Sequence, residues 1–213
     1  MRFHAVATRL ASIPADLPPP DEALMPVVLG EGPQRRTRDE PPPGRPARAA
    51  AVLVLLYPDP EGDSRIVLIE RTDRGGHHSG EVSFPGGKAE PTDPDLVATA
   101  LREASEEVGL DADAAGVRVV GQLSRFWIPV SDFQVTPVVA LAARRPVLVA
   151  QPDEVARILE PPLAAFLPGV EVPIIERRIG DWDLRYGHYP LDGLSVWGAT
   201  ARVLSQLGAV LTA

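Results

Sequence analysis

Between Phe84 and Leu110 the chain reads FPGGKAEPTDPDLVATALREASEEVGL: a strand end, a glycine pair, a short loop, then a helix. Residues three and four apart share one helix face, so Glu103, Glu106 and Glu107 project together beside Arg102. Like charges at this spacing destabilise a helix, and the cluster is a poor choice for stability alone. It suits a hard cation such as Mg2+, which takes oxygen ligands and holds substrate phosphates. Asp93 is expected as the N-cap and Pro94 as the first helical residue, where a missing amide costs nothing. Gly109 stands where a helix end favours a left-handed residue, with Leu110 folding back onto the helix.

The flanking segments supply strands. AAAVLVLLY, residues 49–57, reads as a buried strand by length and β-branched content. After a turn at residues 59–63, RIVLIER pairs with it as a hairpin. A Gly/His-rich loop leads into VSFPGG, and VRVVGQL and VTPVVALAA are further strands. DEVARILEPPLAAFL, from Asp153, reads as a helical turn and loop. VPIIERRIGDWDLRYGHYPL is a hairpin around Gly180 and Asp181, and LSVWGATARVLSQLGAVL, from Leu194, is a closing helix. Strands and helices mix without a repeating βαβ pattern, which predicts an α+β sandwich rather than a doubly wound fold.

Ahead of this region, Phe3, Val6, Leu10 and Ile13 recur at helical spacing and predict an amphipathic helix packed on the domain. A targeting peptide is the weaker reading, because the start lacks a continuous apolar centre. Residues 14–46 hold the triplets Pro18–Pro20 and Pro41–Pro43. Proline disfavours helix in itself and in its predecessor, so this segment is expected to be extended, a linker more than a recognition arm. The expected division is therefore an extension over residues 1–47 and one domain over 48–213.

The formal charge of −8 argues against a general nucleic-acid binder, although metal ions would let an acidic protein hold polyphosphates. The chain has no cysteine, which excludes disulfide and thiolate chemistry. Its longest apolar run, around Ala49 to Tyr57, is too short to span a bilayer. No membrane partner is expected, and the cytoplasm is the default location.

The segment ending LREASEEVGL resembles the Nudix box, G-x5-E-x7-R-E-U-x-E-E-x-G-U with U aliphatic. Arg102, Glu103, Glu106, Glu107, Gly109 and Leu110 match it, and Ala104 fills the aliphatic position. Counted from Gly87, Arg102 falls one residue late; counted back from Arg102, the upstream glutamate position holds Pro94, flanked by Asp93 and Asp95. Such an insertion resembles the coenzyme A pyrophosphatase branch, marked also by a leader L-L-x-x-R-S-x3-R-x-H-x-G-x-V-x-F-P-G-G. Here LIERTDRGGHHSGEVSFPGG agrees at Leu68, Arg71, His78, Gly80, Val82 and Phe84 to Gly87. Thr72 replaces the small residue and Gly76 an arginine. The alternative for the glutamates, a solvated face with ordinary Arg–Glu pairing, leaves FPGG and Gly109-Leu110 without a reason.

The resemblance implies a Nudix-type α/β/α sandwich with a mixed sheet and a diphosphatase dependent on Mg2+ or Mn2+. Glu103 and Glu107 would hold metal, Glu106 directly or through water, and the Gly86 carbonyl would complete the set. Arg102 would orient a glutamate, and Arg71, His78 and Lys88 would contact substrate. The implied substrate is coenzyme A or a derivative, cleaved to 4′-phosphopantetheine and adenosine 3′,5′-bisphosphate. ADP-ribose or a dinucleotide is the alternative, and a nucleotide sensor without turnover the third reading. Nudix relatives are often dimers, so a homodimer is allowed for. The general base is either a box glutamate such as Glu106 or the loop residue Glu154. For Glu154 a first-turn acid favoured by a helix dipole is equally open, and Asp153 is an N-cap candidate.

Other residues carry plainer expectations. His77 and His78 are polar groups of a glycine-rich loop or phosphate contacts. Phe126 and Trp127, on a loop, stack adenine or pack in a core or dimer contact. Trp197 is expected in the core, and Arg177 and Arg178 lie on opposite faces of an exposed strand.

Overall fold

The computed structural model describes residues 1–30, 34–35, 40–41, 44, 46–72 and 80–213. In chain order the elements are α1 (Phe3–Leu10), β1 (Val27–Val28), β2 (Gln34–Arg35), β3 (Arg48–Pro58), β4 (Ser64–Ile66), β5 (Leu68–Arg71), β6 (Val82–Ser83) and β7 (Gly86–Lys88). Then come α2 (Leu96–Val108), α3 (Ala112–Ala115), β8 (Val117–Gln122), β9 (Phe126–Ile128), β10 (Phe133–Ala142) and β11 (Val155–Leu159). The chain closes with β12 (Ile174–Ile179), β13 (Trp182–Gly187), β14 (Tyr189–Leu191), β15 (Leu194–Val196) and α4 (Gly198–Thr212).

β3 is apolar on both faces because both faces are covered. It runs parallel to β10, in register from Arg48 opposite Phe133 to Leu56 opposite Leu141. β4 and β7 pair with β3, and β8 and β9 with β10, all antiparallel, so the central sheet is mixed. Side chains alternate across it. Ala51, Leu53 and Leu55 pack with Ala100, Ala104 and Val108 of α2. Val54 and Leu56 face the other way, into a core with Leu204, Leu207 and Leu211 of α4 and Val6 and Leu10 of α1. The result is an α/β/α sandwich with a mixed sheet, as expected.

Three stretches differ from the sequence reading. RIVLIER splits at Val67: β4 stays with β3, while β5 turns to pair with β6 and β11. DEVARIL is therefore a strand and not a helical turn, because Val155 and Leu159 fill buried positions opposite β5; a short 3-10 turn follows at Leu163–Phe166. Glu154 and Asp153 accordingly begin no helix. LSV forms β15 against β14, and the closing helix starts only at Gly198.

The predicted N-terminal helix ends at Leu10, and Ile13 beyond it reaches the sheet at Gly121. The described part of the proline-rich segment is tied down. Leu24 and Met25 are buried, the Pro18 carbonyl accepts from Gln206 Nε2 (2.9 Å), and β1 joins β13. Pro42, Pro43 and residues 73–79, with Gly76, His77 and His78, lie outside the described residues. No described helix is long and apolar enough to cross a membrane.

Truncating Leu53, fully buried between β3 and α2, is expected to cost about 2–5 kcal/mol, the range for a buried leucine cut to alanine. Urea unfolding of Leu53→Ala measures it; a loss well below ~1 kcal/mol would contradict the close packing of this layer.

Candidate active site

α2 is capped by Asp95, whose carboxylate accepts the Ala98 N–H (2.8 Å), so Pro94 precedes the helix. Asp93, expected as the cap, is committed elsewhere. It accepts from Arg102 Nε (3.0 Å) and Nη2 (3.1 Å), from the Thr99 hydroxyl (2.9 Å) and from the Glu90 N–H (2.9 Å). A bidentate, charge-assisted pair is roughly twice as strong as a neutral hydrogen bond, and the Arg102 guanidinium holds the Asp93 carboxyl well below its ordinary range. At the other end Gly109 adopts φ +63°, and the Leu110 N–H returns to the Ala104 carbonyl (3.3 Å). That is the left-handed helix end foreseen from the sequence.

Arg102 is the hub of the helix face. It also donates to the Lys88 carbonyl (3.0 Å) and Glu106 Oε2 (2.9 Å), and lies 3.1 Å from Glu103 Oε1. Glu106 is 58% exposed, and an exposed i,i+4 pair contributes only about 0.3–0.5 kcal/mol. Arg102 is therefore positioned by the partly buried Asp93 and orients the glutamates in turn. Glu103 packs over Gly87, where a Cβ would fall 2.6 Å from its carboxylate oxygen.

Glu107 is the buried member, with 2% of its surface exposed. Its Oε2 accepts the Gly86 N–H (2.8 Å), and Arg71 Nη1 lies 3.4 Å from Oε1. Burial pushes its carboxyl up to about 7; Gly86 and Arg71 oppose the shift, and the charges of Glu103 and Glu154 reinforce it. Burial likewise raises Glu103, against the pull of Arg102. Glu154 is exposed, just ahead of β11, with its carbonyl accepting the Thr72 N–H (2.9 Å). The Val149 and Gln151 amides donate to the Val108 and Glu107 carbonyls (2.8 and 2.9 Å). Those bonds satisfy the end of α2 and bring Glu154 within electrostatic reach of Glu103 and Glu107.

Among the described residues, no three acids or histidines converge tightly enough to cage an ion as they stand. Arg71 and Gly86 occupy Glu107, and Arg102 occupies Glu103 and Glu106. The donor set still suits a hard divalent cation, being oxygen-only, mutually repelling and partly desolvated.

A cavity of about 560 Å³ opens beside Gly86 and Gly87. Arg71 and Lys88, expected as substrate contacts, lie on its wall, as do Phe126, Trp182 and Trp197. Trp197 is half-buried, with one face stacked on the buried Tyr186 at 4.5 Å while the residue lines the cavity, so it is not a core residue. Trp127, by contrast, is buried in β9 and donates Nε1–H to Asp132 (3.0 Å), which rules it out as a stacking platform. Arg177 and Arg178 are both exposed on the outermost strand β12. Sequence reasoning missed two features: the role of Asp93 and the cavity wall beyond residue 168. The first had a signal. The box places its upstream acid six residues after the glycine, and counted from Gly87 that is Asp93; the extra residue therefore lies between Asp93 and Arg102.

The family model described as the NUDIX domain matches residues 47–168. The chain is a Nudix hydrolase. It is 36% identical over 183 residues to a protein of Yersinia enterocolitica described as uncharacterized Nudix hydrolase NudL, covering 84% of this chain and 91% of that one. A NudL of Klebsiella pneumoniae is 40% identical over 175 residues, with 78% and 86% covered. Among solved structures, the Nudix hydrolase RenU of M. smegmatis aligns with TM-score 0.47 and 23% identity over 65% of this chain and 80% of its own. The family acts on nucleoside diphosphate derivatives and generally uses divalent cations.

Glu107 yields a pH test on the metal-free protein. A carboxyl raised in the folded state binds its proton more tightly there than in the unfolded chain. Stability is then full below the ordinary carboxylate range and falls as pH rises toward about 7. In EDTA, Glu107→Gln is expected to be more stable than the parent at pH 8 by about 1–3 kcal/mol, with the difference vanishing near pH 4. Thermal unfolding across that range measures it, and a variant less stable than the parent at pH 8 would contradict the burial penalty.

Proposed function

We propose that this Nudix hydrolase is a Mg2+- or Mn2+-dependent diphosphatase of coenzyme A or its derivatives, releasing 4′-phosphopantetheine and adenosine 3′,5′-bisphosphate. The observation that carries the reading is the mutually repelling pair of a half-buried Glu103 and a buried Glu107 beside Gly86-Gly87, where a largely apolar cavity opens. The leader LIERTDRGGHHSGEVSFPGG supports the substrate. In this reading Glu103 and Glu107 would hold the metal with Glu106 and the Gly86 carbonyl, and the ion would supply neutralising charge for the diphosphate and a lowered pKa for a bound water.

The chain's own groups do the rest. Arg102, fixed by Asp93, keeps Glu103 and Glu106 in place. Arg71, His78 and Lys88 balance phosphate charge. Glu154 takes the proton from water, a role supported by its exposure and by its charge acting on both Glu103 and Glu107. Residues 48–213 form the hydrolase domain, with 1–47 as an extension, and because Nudix relatives are often dimers a homodimer is allowed for. Gly76 in place of an arginine favours a second reading, the same chemistry on ADP-ribose or a dinucleotide.

A Mg2+ panel of coenzyme A, ADP-ribose and a diadenosine polyphosphate, with products separated by chromatography, is expected to show coenzyme A cleaved with the highest kcat/KM. A preference of about tenfold or more for ADP-ribose would replace the first reading with the second. Glu154→Gln is expected to lower kcat by about 10²–10⁴-fold, the usual contribution of a general base, without weakening Mg2+ binding. An unchanged kcat would remove Glu154 from the mechanism.

A further inference from the structure

The cavity beside the glutamates is a composite. Gly86, Gly87 and Lys88 form its near end, inside the span matched by the family model. Its far wall comes from outside that span: the tip of the β12–β13 hairpin, Ile179–Trp182, and the start of α4 with Trp197. Polar groups there are few and of a particular kind. The Ser83 hydroxyl is buried with no hydrogen-bond partner among the described residues. The first turn of α4 has no side-chain cap, which leaves amide donors unsatisfied by the helix itself. Glu81 and Asp181 add negative charge to the wall, while the cationic Arg71 and Lys88 share it with Gly86 and Gly87.

A volume of about 560 Å³ is that of an ordinary small-molecule pocket. What would fill it is an uncharged, mostly apolar chain bearing a few amide carbonyls. A nucleoside bisphosphate is the poorer match, because Glu81 and Asp181 line the same wall and like charges at short range cost free energy in a desolvated site. A β-alanyl-cysteamine arm has the required chemistry: amide carbonyls to accept from the first-turn amides of α4, and methylenes against Val130, Trp182 and Trp197.

Building on the coenzyme A reading, we propose that the cavity receives the pantetheine arm of the substrate and any acyl group on its thiol, with the diphosphate at Gly86-Gly87 and the adenosine half directed outward. Trp182, 51% exposed at the hairpin tip, is then a specificity residue for the acyl chain. An indole that covers several methylenes discriminates by about tenfold or more, since each methylene in an apolar pocket carries a factor of this order.

The test uses the full chain and the two halves of the product. Tryptophan fluorescence is titrated with S-octanoyl-4′-phosphopantetheine and with adenosine 3′,5′-bisphosphate. Hydrolysis of octanoyl-coenzyme A and free coenzyme A is followed in parallel, for the parent, Trp182→Ala and Trp182→Phe. The expected result is that the acylated arm binds at least about tenfold more tightly than the bisphosphate, and that octanoyl-coenzyme A has the higher kcat/KM. Trp182→Ala should abolish most of that preference through KM, and Trp182→Phe should restore it. Tighter binding of the bisphosphate, or a preference that survives Trp182→Ala, would overturn the orientation. Cleavage of ADP-ribose with neither coenzyme A compound cut would instead remove the substrate reading on which the inference rests.

Discussion

Glu107 is a carboxylate buried where helix α2 meets the strand-end glycines, and an ionised group in that position is costly unless its lone pairs are answered. The Gly86 amide answers one oxygen at 2.8 Å and Arg71 stands 3.4 Å from the other. That requirement ties β7, β5 and α2 to one another. It places Glu103 over Gly87, where no side chain has room, and sets Arg102 between the Lys88 carbonyl and Asp93. The helix face is thus held by hydrogen bonds made at its buried edge. Its exposed edge, with Glu106, contributes little.

Much of this was legible in the chain. Periodicity alone placed α2, the central strands and most of α4, and Gly109 marked the helix end because its geometry demands a residue tolerant of positive φ. The hydrolase signature around Arg102 is local, so a linear reading recovers it. What it missed is decided by competition between near neighbours. Asp93 and Asp95 are chemically identical, and only the reach of Arg102 assigns one to the arginine and the other to the helix cap. Val155 and Leu159 read as a helical pattern until β5 turns out to need a partner. Tertiary pairing overrides local preference in such short segments.

The cavity was less legible still. Its floor and its far wall come from segments well apart in sequence, and nothing in GDWDL or SVWG announces that Trp182 and Trp197 stand on one space. In the proposed reading, chemistry and selectivity are carried by different parts of the chain. The glutamates lie within the family's box, whereas the hairpin and the last helix line the far wall, away from the bond to be cleaved. On that reading, changes to the hairpin tip reshape substrate choice without touching the Asp93–Arg102 hub.

The parallel pairing of β3 with β10 bears on how the molecule assembles. The two strands meet in register from Arg48 and Phe133, and β7, α2 and β8 all lie in the intervening loop. Closing so long a loop costs entropy before any contact repays it, and topologies of this kind fold slowly. During synthesis the glutamates emerge well before β10, at a stage when β3 has no partner along its core edge. A chain halted there would expose an apolar edge strand, the feature most prone to pair with other chains.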